Sequence, residues 1–255
     1  MDTLQIANHS FKSRLILGTG KYSSPETMKQ SMQAAEAEII TVAVRRVNID
    51  DAEDSFLTTI NPQDYTFLPN TSGARNAKEA IRCAQIARAA SQTNFVKLEV
   101  TPEQNHLMPD PVETLKAAEE LIKDGFDVLP YIHADPILAK KLEDIGCCAV
   151  MPLGSPIGSN QGLQSKHFIE IIIEQSNIPV IIDAGIGAPS DACLAMEMGA
   201  DAVMVNTAIA TASDPITMSF AFKQATIAGR QAYLAGLAEK SAHAEASSPL
   251  TGFLH

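Results

Sequence analysis

The sequence of 255 residues contains no run of Lys or Arg, and its formal net charge is −11. Nucleic acids and anionic membranes bind proteins through clustered positive charge, so we expect neither as a partner. A phosphate ligand would have to be held by backbone N–H groups close to it, because the field of the whole molecule repels anions.

Cysteine is sparse and is not arranged for metal binding or for a disulfide framework. The four cysteines are Cys83, Cys147, Cys148 and Cys193. None of them forms a Cys-x-x-Cys pair, and the adjacent pair has a spacing that does not suit a metal site. We therefore expect reduced cysteines and no bound metal ion.

Long apolar runs are also missing. Apolar runs such as residues 179–182 are far too short to span a bilayer. The first six residues lack the basic and apolar regions of a signal peptide. These features favour a cytoplasmic protein that has no membrane partner.

The chain does contain short β-rich runs that alternate with helix-like segments. The candidate strands are residues 15–17, 39–44, 66–68, 95–99, 127–131, 149–151, 180–183 and 202–205. The clearest helix-like segments are 25–37, 76–90, 111–124, 136–145 and 190–198. This alternation is typical of an α/β protein with a parallel sheet, and eight units in one unbroken chain predict a single (β/α)8 TIM barrel over residues 1–255. A doubly wound open sheet is the alternative, and residues 238–255 are predicted to form a flexible C-terminal tail.

Lys97 is the most informative residue, because it interrupts an apolar strand. Strand side chains alternate between faces, so Lys97 and Glu99 share one face while Val96, Leu98 and Val100 share the other. A lysine flanked by apolar residues suggests a nucleophilic amine that forms a Schiff base. The alternatives are a structural ion pair between Lys97 and Glu99 and an edge strand whose polar face is hydrated.

Gly-rich and polar residues follow the last two predicted strands. In TIM barrels the loops after strands seven and eight commonly bind phosphate, and glycine lets the backbone approach the anion. Gly185 and Gly187 follow strand seven, while Asn206 and Thr207 follow strand eight. These positions predict a phosphate site, although glycines that only form the turns would give the same pattern.

Other polar residues lie at or near the ends of the predicted strands. Asp183 ends an apolar strand and is a candidate acid or base beside Glu99, with a turn or capping role as the alternative. Only one of Arg45 and Arg46 can face inward from their strand, so one is expected to contact the ligand. His106 and His133 have no matching partner in the sequence and are interpreted as surface or packing residues. The residues alone therefore indicate a phosphosugar barrel enzyme with a Schiff-base lysine, which a class I aldolase fits equally well.

Several motifs in order resemble the thiazole synthase family of thiamine biosynthesis, from about residue 5 to the C-terminus. They are LILGTGKY at 15–22, TVAVRRVN at 41–48, LPNTSG at 68–73, VKLE at 96–99, DVLPY at 127–131, MPLGSPIG at 151–158, IDAGIG at 182–187, VNT at 205–207 and SPLTGFL at 248–254. The resemblance implies an enzyme that makes the thiazole phosphate half of thiamine. Its implied inputs are 1-deoxy-D-xylulose 5-phosphate, dehydroglycine and sulfur from a thiocarboxylated ubiquitin-like sulfur-carrier protein.

The resemblance also implies roles for single residues. Lys97 matches the family's imine-forming lysine, and Glu99 and Asp183 match its acid/base carboxylates. The family's sugar-phosphate positions match Gly158, Ala184, Gly185, Asn206 and Thr207. A homotetramer is implied as well, and no cofactor is expected. Two other classes stay open at this point: a class I aldolase-like phosphosugar lyase, and a barrel that binds a phosphometabolite without catalysis.

Overall fold

A computed structural model of the protein describes residues 2–43, 60–61, 63–244 and 246–248. The chain begins with an antiparallel hairpin of β1 (Leu4–Ile6) and β2 (His9–Phe11). Eight further strands follow: β3 (Leu15–Gly18), β4 (Ile39–Ala43), β5 (Thr66–Asn70), β6 (Phe95–Leu98), β7 (Asp127–Ile132), β8 (Met151–Pro152), β9 (Ile181–Ile182) and β10 (Ala202–Val205).

These eight strands form one parallel sheet that closes on itself. Each strand pairs with the next one along the chain from β3 to β8, and β10 pairs with both β9 and β3. Two isolated parallel bridges, Val150 to Val180 and Leu153 to Asp183, join β8 to β9 and complete the ring. The predicted (β/α)8 barrel is confirmed, and the open doubly wound sheet is wrong.

Helices follow the strands around the outside of the barrel. In the described residues they are α1 (Pro25–Ala35), α2 (Ala77–Ser91), α3 (Pro111–Lys123), α4 (Pro136–Asp144), α5 (Lys166–Gln175), α6 (Pro189–Glu197), α7 (Thr207–Ala210) and α8 (Pro215–Ala235). None of the helices in these ranges combines the length and the apolar character that crossing a bilayer requires.

Capping residues explain where several helices begin. Ser24, Asp110, Asp135 and Asp214 each accept hydrogen bonds from backbone N–H groups in the first turn, and a proline follows each of them. Proline suits that position because its φ is already helical and it has no N–H to leave unpaired. Helix α1 ends two residues before the predicted boundary, because Glu36 takes a left-handed conformation with φ of 48°.

The alternation along β6 separates two hydrophobic cores. Val96 and Leu98 face outward into the layer between the strands and the helices. Phe95 faces inward into a smaller core inside the barrel, which Leu4, Ile6 and other residues of the amino-terminal hairpin also join. The hairpin therefore covers the amino-terminal end of the barrel interior, on the side opposite the carboxyl ends of the strands.

Two predictions concern the C-terminal tail and the end of the second predicted strand. Residues 238–244 and 246–248 contain no helix or strand, and the predicted tail stays a prediction. Arg45 and Arg46 lie outside the described residues, as does Val44 at the end of the predicted second strand.

Candidate active site at the carboxyl end of the barrel

Lys97 lies inside the barrel between two carboxylates. Its Nζ atom is 2.6 Å from Asp183 Oδ2 and 3.1 Å from Glu99 Oε1. Lys97 and Asp183 are each 3% exposed, and Glu99 is 4% exposed. The structure therefore brings together the three residues that the sequence predicted as catalytic, from the carboxyl ends of β6 and β9.

The three charges determine the protonation of the cluster. Burial alone would lower the pKa of the Lys97 amine, but the carboxylates of Asp183 and Glu99 outweigh it and hold that pKa above its ordinary value. Burial raises the pKa of Asp183, and Glu99 adds to this, although Lys97 acts in the opposite direction. A cluster of one cation and two carboxylates therefore carries a charged lysine at rest, and the raised pKa makes Asp183 a candidate proton acceptor.

Thr71 fixes the backbone that carries Glu99. Its hydroxyl donates to the carbonyl oxygen of Glu99 at 2.7 Å and accepts from the N–H of Glu99 at 2.8 Å. Thr71 follows β5, which pairs with β6 through Asn70 and Lys97. The threonine thus continues the pairing of the two strands beyond the last ladder residues and positions Glu99 beside the amine.

Two further residues contact or face the amine and were missed in the sequence. Nζ of Lys97 lies 3.2 Å from Met204 Sδ, and 5.5 Å from the centre of the Tyr131 ring. The Tyr131 side chain is fully buried, and its hydroxyl has no hydrogen-bond partner among the described residues. Period-two alternation along β7 and β10 would have assigned both side chains to the barrel interior.

A cavity of about 290 Å³ opens above the cluster, and its size suits a small metabolite. Its lining includes all eight residues that the sequence predicted for the site: Lys97, Glu99, Gly158, Asp183, Ala184, Gly185, Asn206 and Thr207. The catalytic and binding roles of these residues stay predictions, but their placement at one mouth makes a single site possible.

The loop after β9 has a backbone shape that depends on glycine. Ala184 and Gly185 both have positive φ, of 60° and 81°. A Cβ on Gly185 would lie 2.4 Å from the Cβ of Ser155, so the loops after β8 and β9 are in direct contact there. The N–H groups of Gly158 and Gly185 donate to no acceptor within the described ranges, which leaves them for a ligand in the cavity.

Some residues singled out in the sequence lie away from the cavity. The N–H of Gly187 donates to Asp191 Oδ2 at 2.9 Å, and Gly187 serves the turn into α6. His106 is exposed beside Glu103, and His133 is exposed as well. The interpretation of both histidines as surface residues agrees with these positions.

The fold and the site together define a class of protein. A closed (β/α)8 barrel carries a buried lysine between two carboxylates at its carboxyl end, under loops with free backbone N–H groups. These features are those of a barrel enzyme with a candidate active site centred on a lysine.

Comparison with known proteins identifies the family within that class. The family model described as thiazole biosynthesis protein ThiG matches residues 5–249. A thiazole synthase of Syntrophobacter fumaroxidans is 63% identical over 98% of this chain and 98% of its own length. A thiazole synthase of Cytophaga hutchinsonii is 60% identical over 100% of this chain and 98% of its own. The chain belongs to the ThiG family, and the family resemblance seen in the sequence is confirmed.

Solved structures agree with the fold. A chain from the BexX/CysO complex of Amycolatopsis orientalis superposes with a TM-score of 0.86 at 32% identity, covering 95% of this chain and 100% of that one. A thiamine phosphate pyrophosphorylase from Pyrococcus furiosus superposes with a TM-score of 0.58 at 14% identity, over 86% of this chain and 97% of that one. The second similarity concerns the barrel architecture alone.

Proposed function

We propose that the protein condenses 1-deoxy-D-xylulose 5-phosphate, dehydroglycine and carrier-bound sulfur into the thiazole phosphate moiety of thiamine, through a Schiff base on Lys97. The observation that carries the proposal is the buried Lys97 amine between Asp183 and Glu99, at 2.6 Å and 3.1 Å. Membership of the ThiG family supports the reaction, and the thiazole synthases to which the chain is similar align over nearly their whole length.

Imine formation begins with a proton transfer inside the cluster. The amine is a nucleophile only after its proton moves to Asp183, whose pKa burial raises. The freed amine attacks the C2 ketone of the sugar, and the carbonyl oxygen leaves as water after it has taken up two protons. The products are one protonated imine and one water, so the cluster regains its original charge.

Glu99 and Asp183 then move protons along the sugar. One carboxylate removes the proton on C3, a proton is returned to C2, and the C3 hydroxyl releases its proton to the amine or to a carboxylate. The imine thereby becomes an amine with a ketone at C3. The thiocarboxylate sulfur of the carrier attacks that ketone. Both carboxylates suit this work because each lies within 3.1 Å of the nitrogen and is shielded from water.

The phosphate end of the sugar is assigned to the loops at the cavity mouth. Gly158 and Gly185 offer backbone N–H groups there, Ala184 lines the same loop beside Gly185, and Asn206 and Thr207 add polar side chains. With the phosphate at the rim, the ketone points toward the barrel floor, where Lys97 lies.

The sulfur is proposed to come from a small protein partner, and the chain is proposed to act in the cytoplasm as a homotetramer. The related Amycolatopsis orientalis protein was solved in complex with a second protein, CysO, which supports a protein partner for this barrel. Light scattering on the purified protein tests the tetramer, and copurification with a carrier that ends in Gly-Gly tests the partner.

Borohydride trapping tests the central step. Reduction in the presence of 1-deoxy-D-xylulose 5-phosphate is expected to add the sugar to the peptide that contains Lys97, as read by mass spectrometry. A Lys123→Met variant serves as the control, because this lysine is 69% exposed at the end of α3 and should leave trapping unchanged.

Two outcomes would contradict the proposal. Trapping that persists in Lys97→Ala at the wild-type level would place the imine elsewhere. Release of smaller carbonyl products from the sugar without carrier or dehydroglycine would favour the aldolase-like lyase. Thiazole phosphate formation in a reconstituted mixture with the thiocarboxylated carrier is the result we expect.

A further inference from the structure

Lys21 lies at the cavity mouth and has no role among the residues assigned so far. It follows β3 by three residues and lines the same cavity as Lys97. Its Nζ donates a hydrogen bond to Thr207 Oγ1 at 3.2 Å. A Cβ added to Gly158 would lie 3.2 Å from the same nitrogen, so the amine lies directly against the glycine. Lys21 therefore joins two of the positions assigned to the sugar phosphate.

The Lys21 amine has no carboxylate counter-ion in the part of the chain that the structure describes. No carboxylate of the described residues lies within ion-pair distance of its Nζ, whereas the Lys97 amine has two. The chain as a whole carries a net charge of −11, so acidic groups are abundant. Lys21 is exposed, and an ammonium without a carboxylate partner among the described residues, at the mouth of a cavity, is suited to binding an anionic group of a ligand.

The backbone at Lys21 is also unusual. Its φ is 70°, in the left-handed region that residues with a Cβ rarely adopt. Such conformations are retained where the surrounding structure requires them, and they cluster at sites that bind ligands. Here the conformation accompanies a side chain that reaches from the end of β3 to Thr207, the first residue of α7.

We infer that Lys21 is a phosphate-binding residue that supplies the positive charge for the phosphate of the sugar substrate. This inference rests on the proposed phosphate site at Gly158 and Thr207. Backbone N–H groups donate hydrogen bonds but carry no net charge, so an uncompensated phosphate dianion would meet the repulsion of the acidic chain. The Lys21 ammonium lies where it offsets that charge while Thr207 keeps it in place.

Binding of inorganic phosphate, measured by isothermal titration calorimetry, tests the inference without any imine chemistry. Lys21→Met keeps a straight side chain and removes the charge, and we expect its dissociation constant to rise about tenfold or more. Lys21→Arg should recover most of the affinity, because it restores the charge. Lys123→Met removes an exposed lysine at the far end of the barrel and should bind phosphate like the wild type.

The inference is overturned if Lys21→Met binds phosphate as tightly as the wild type, or if the wild type binds none. A second comparison separates this result from a failure of the proposed reaction. Borohydride trapping with 1-deoxy-D-xylulose, which has no phosphate, should label Lys97 equally in the wild type and in Lys21→Met. If neither sugar labels the wild type, the proposed reaction fails, and the phosphate titration still decides the role of Lys21.

Discussion

The charge balance of the Lys97 cluster allows us to predict how far a Lys97→Met substitution lowers the free energy of unfolding. Lys97→Met removes the cation that lies 2.6 Å from Asp183 and 3.1 Å from Glu99. The two carboxylates stay buried, so one of them must take up a proton in the folded variant to keep the cluster at its original charge. The cost of holding that proton is the expected loss of stability.

The size of the loss follows from the pH. In the variant, an aspartate whose ordinary pKa is 3.8 must stay protonated at pH 7, which is about three pH units above that value. Each pH unit corresponds to about 1.4 kcal/mol. We expect Lys97→Met to lower the free energy of unfolding by about 4 kcal/mol at pH 7, which agrees with the usual cost of breaking a buried ion pair. Because the carboxyl pKa is raised in the folded state, the loss shrinks as the pH falls, to about 1.5 kcal/mol near pH 5.

Urea unfolding followed by far-ultraviolet circular dichroism measures this difference, since the chain has no tryptophan to report by fluorescence. The double variant Lys97→Met/Asp183→Asn is the control. It removes one cation and one carboxylate, so its stability relative to the wild type should depend little on pH. An equal loss for Lys97→Met at about pH 8 and about pH 5 would refute the electrostatic reasoning.

Three other substitutions test separate parts of the site. Asp183→Asn should slow borohydride trapping at neutral pH by about a hundredfold or more through loss of the proton acceptor, and the optimum should move to lower pH because the pKa of Lys97 falls without that carboxylate. Gly185→Ala adds a steric clash to a φ of 81° and should lower the melting temperature more than Gly125→Ala, which has the same φ of 81° and open space around it. Tyr131→Phe removes a buried hydroxyl that has no partner among the described residues, and urea unfolding should show a gain of about 1 kcal/mol, whereas a loss would reveal a hidden hydrogen bond.

The parts of the site that depend on alternation were predictable from the sequence. In a strand the side chains change face at every residue, so the apolar Val96 and Leu98 fix Lys97 and Glu99 on the opposite face. Once eight strand and helix units predict a closed barrel, that face is the interior. The location of Lys97 at the carboxyl end therefore follows from local pattern and general topology.

The strand ends near the closure of the barrel were not predictable in the same way. The sequence predicts strands over 149–151 and 180–183, but β8 and β9 each have two ladder residues, because isolated bridges make the remaining contacts between them. The amino-terminal hairpin was missed for a similar reason. Its strands have three residues each, and they are stabilised by packing on the barrel interior, which no local pattern reports.

Side-chain contacts between distant strands were the least accessible to sequence reasoning. Thr71 holds Glu99 through two hydrogen bonds to its backbone, and Met204 contacts the Lys97 amine, yet no local pattern predicts either contact. These contacts depend on the register of neighbouring strands, which a single sequence does not give. The contact that a polar residue makes just after one strand can be predicted only when the pairing of that strand with its neighbour is known.

The ion pairs that hold Lys97 in place also keep its amine charged, and this links the three side chains in the proposed reaction. A nucleophile is released only when a proton leaves Lys97 for a carboxylate, so the base that activates the amine is the same group that orients it. Removing Asp183 or Glu99 therefore changes both the position and the protonation of the Lys97 amine. The effects of single substitutions on imine formation should consequently fail to add in the double variant, because each one disables the same proton transfer.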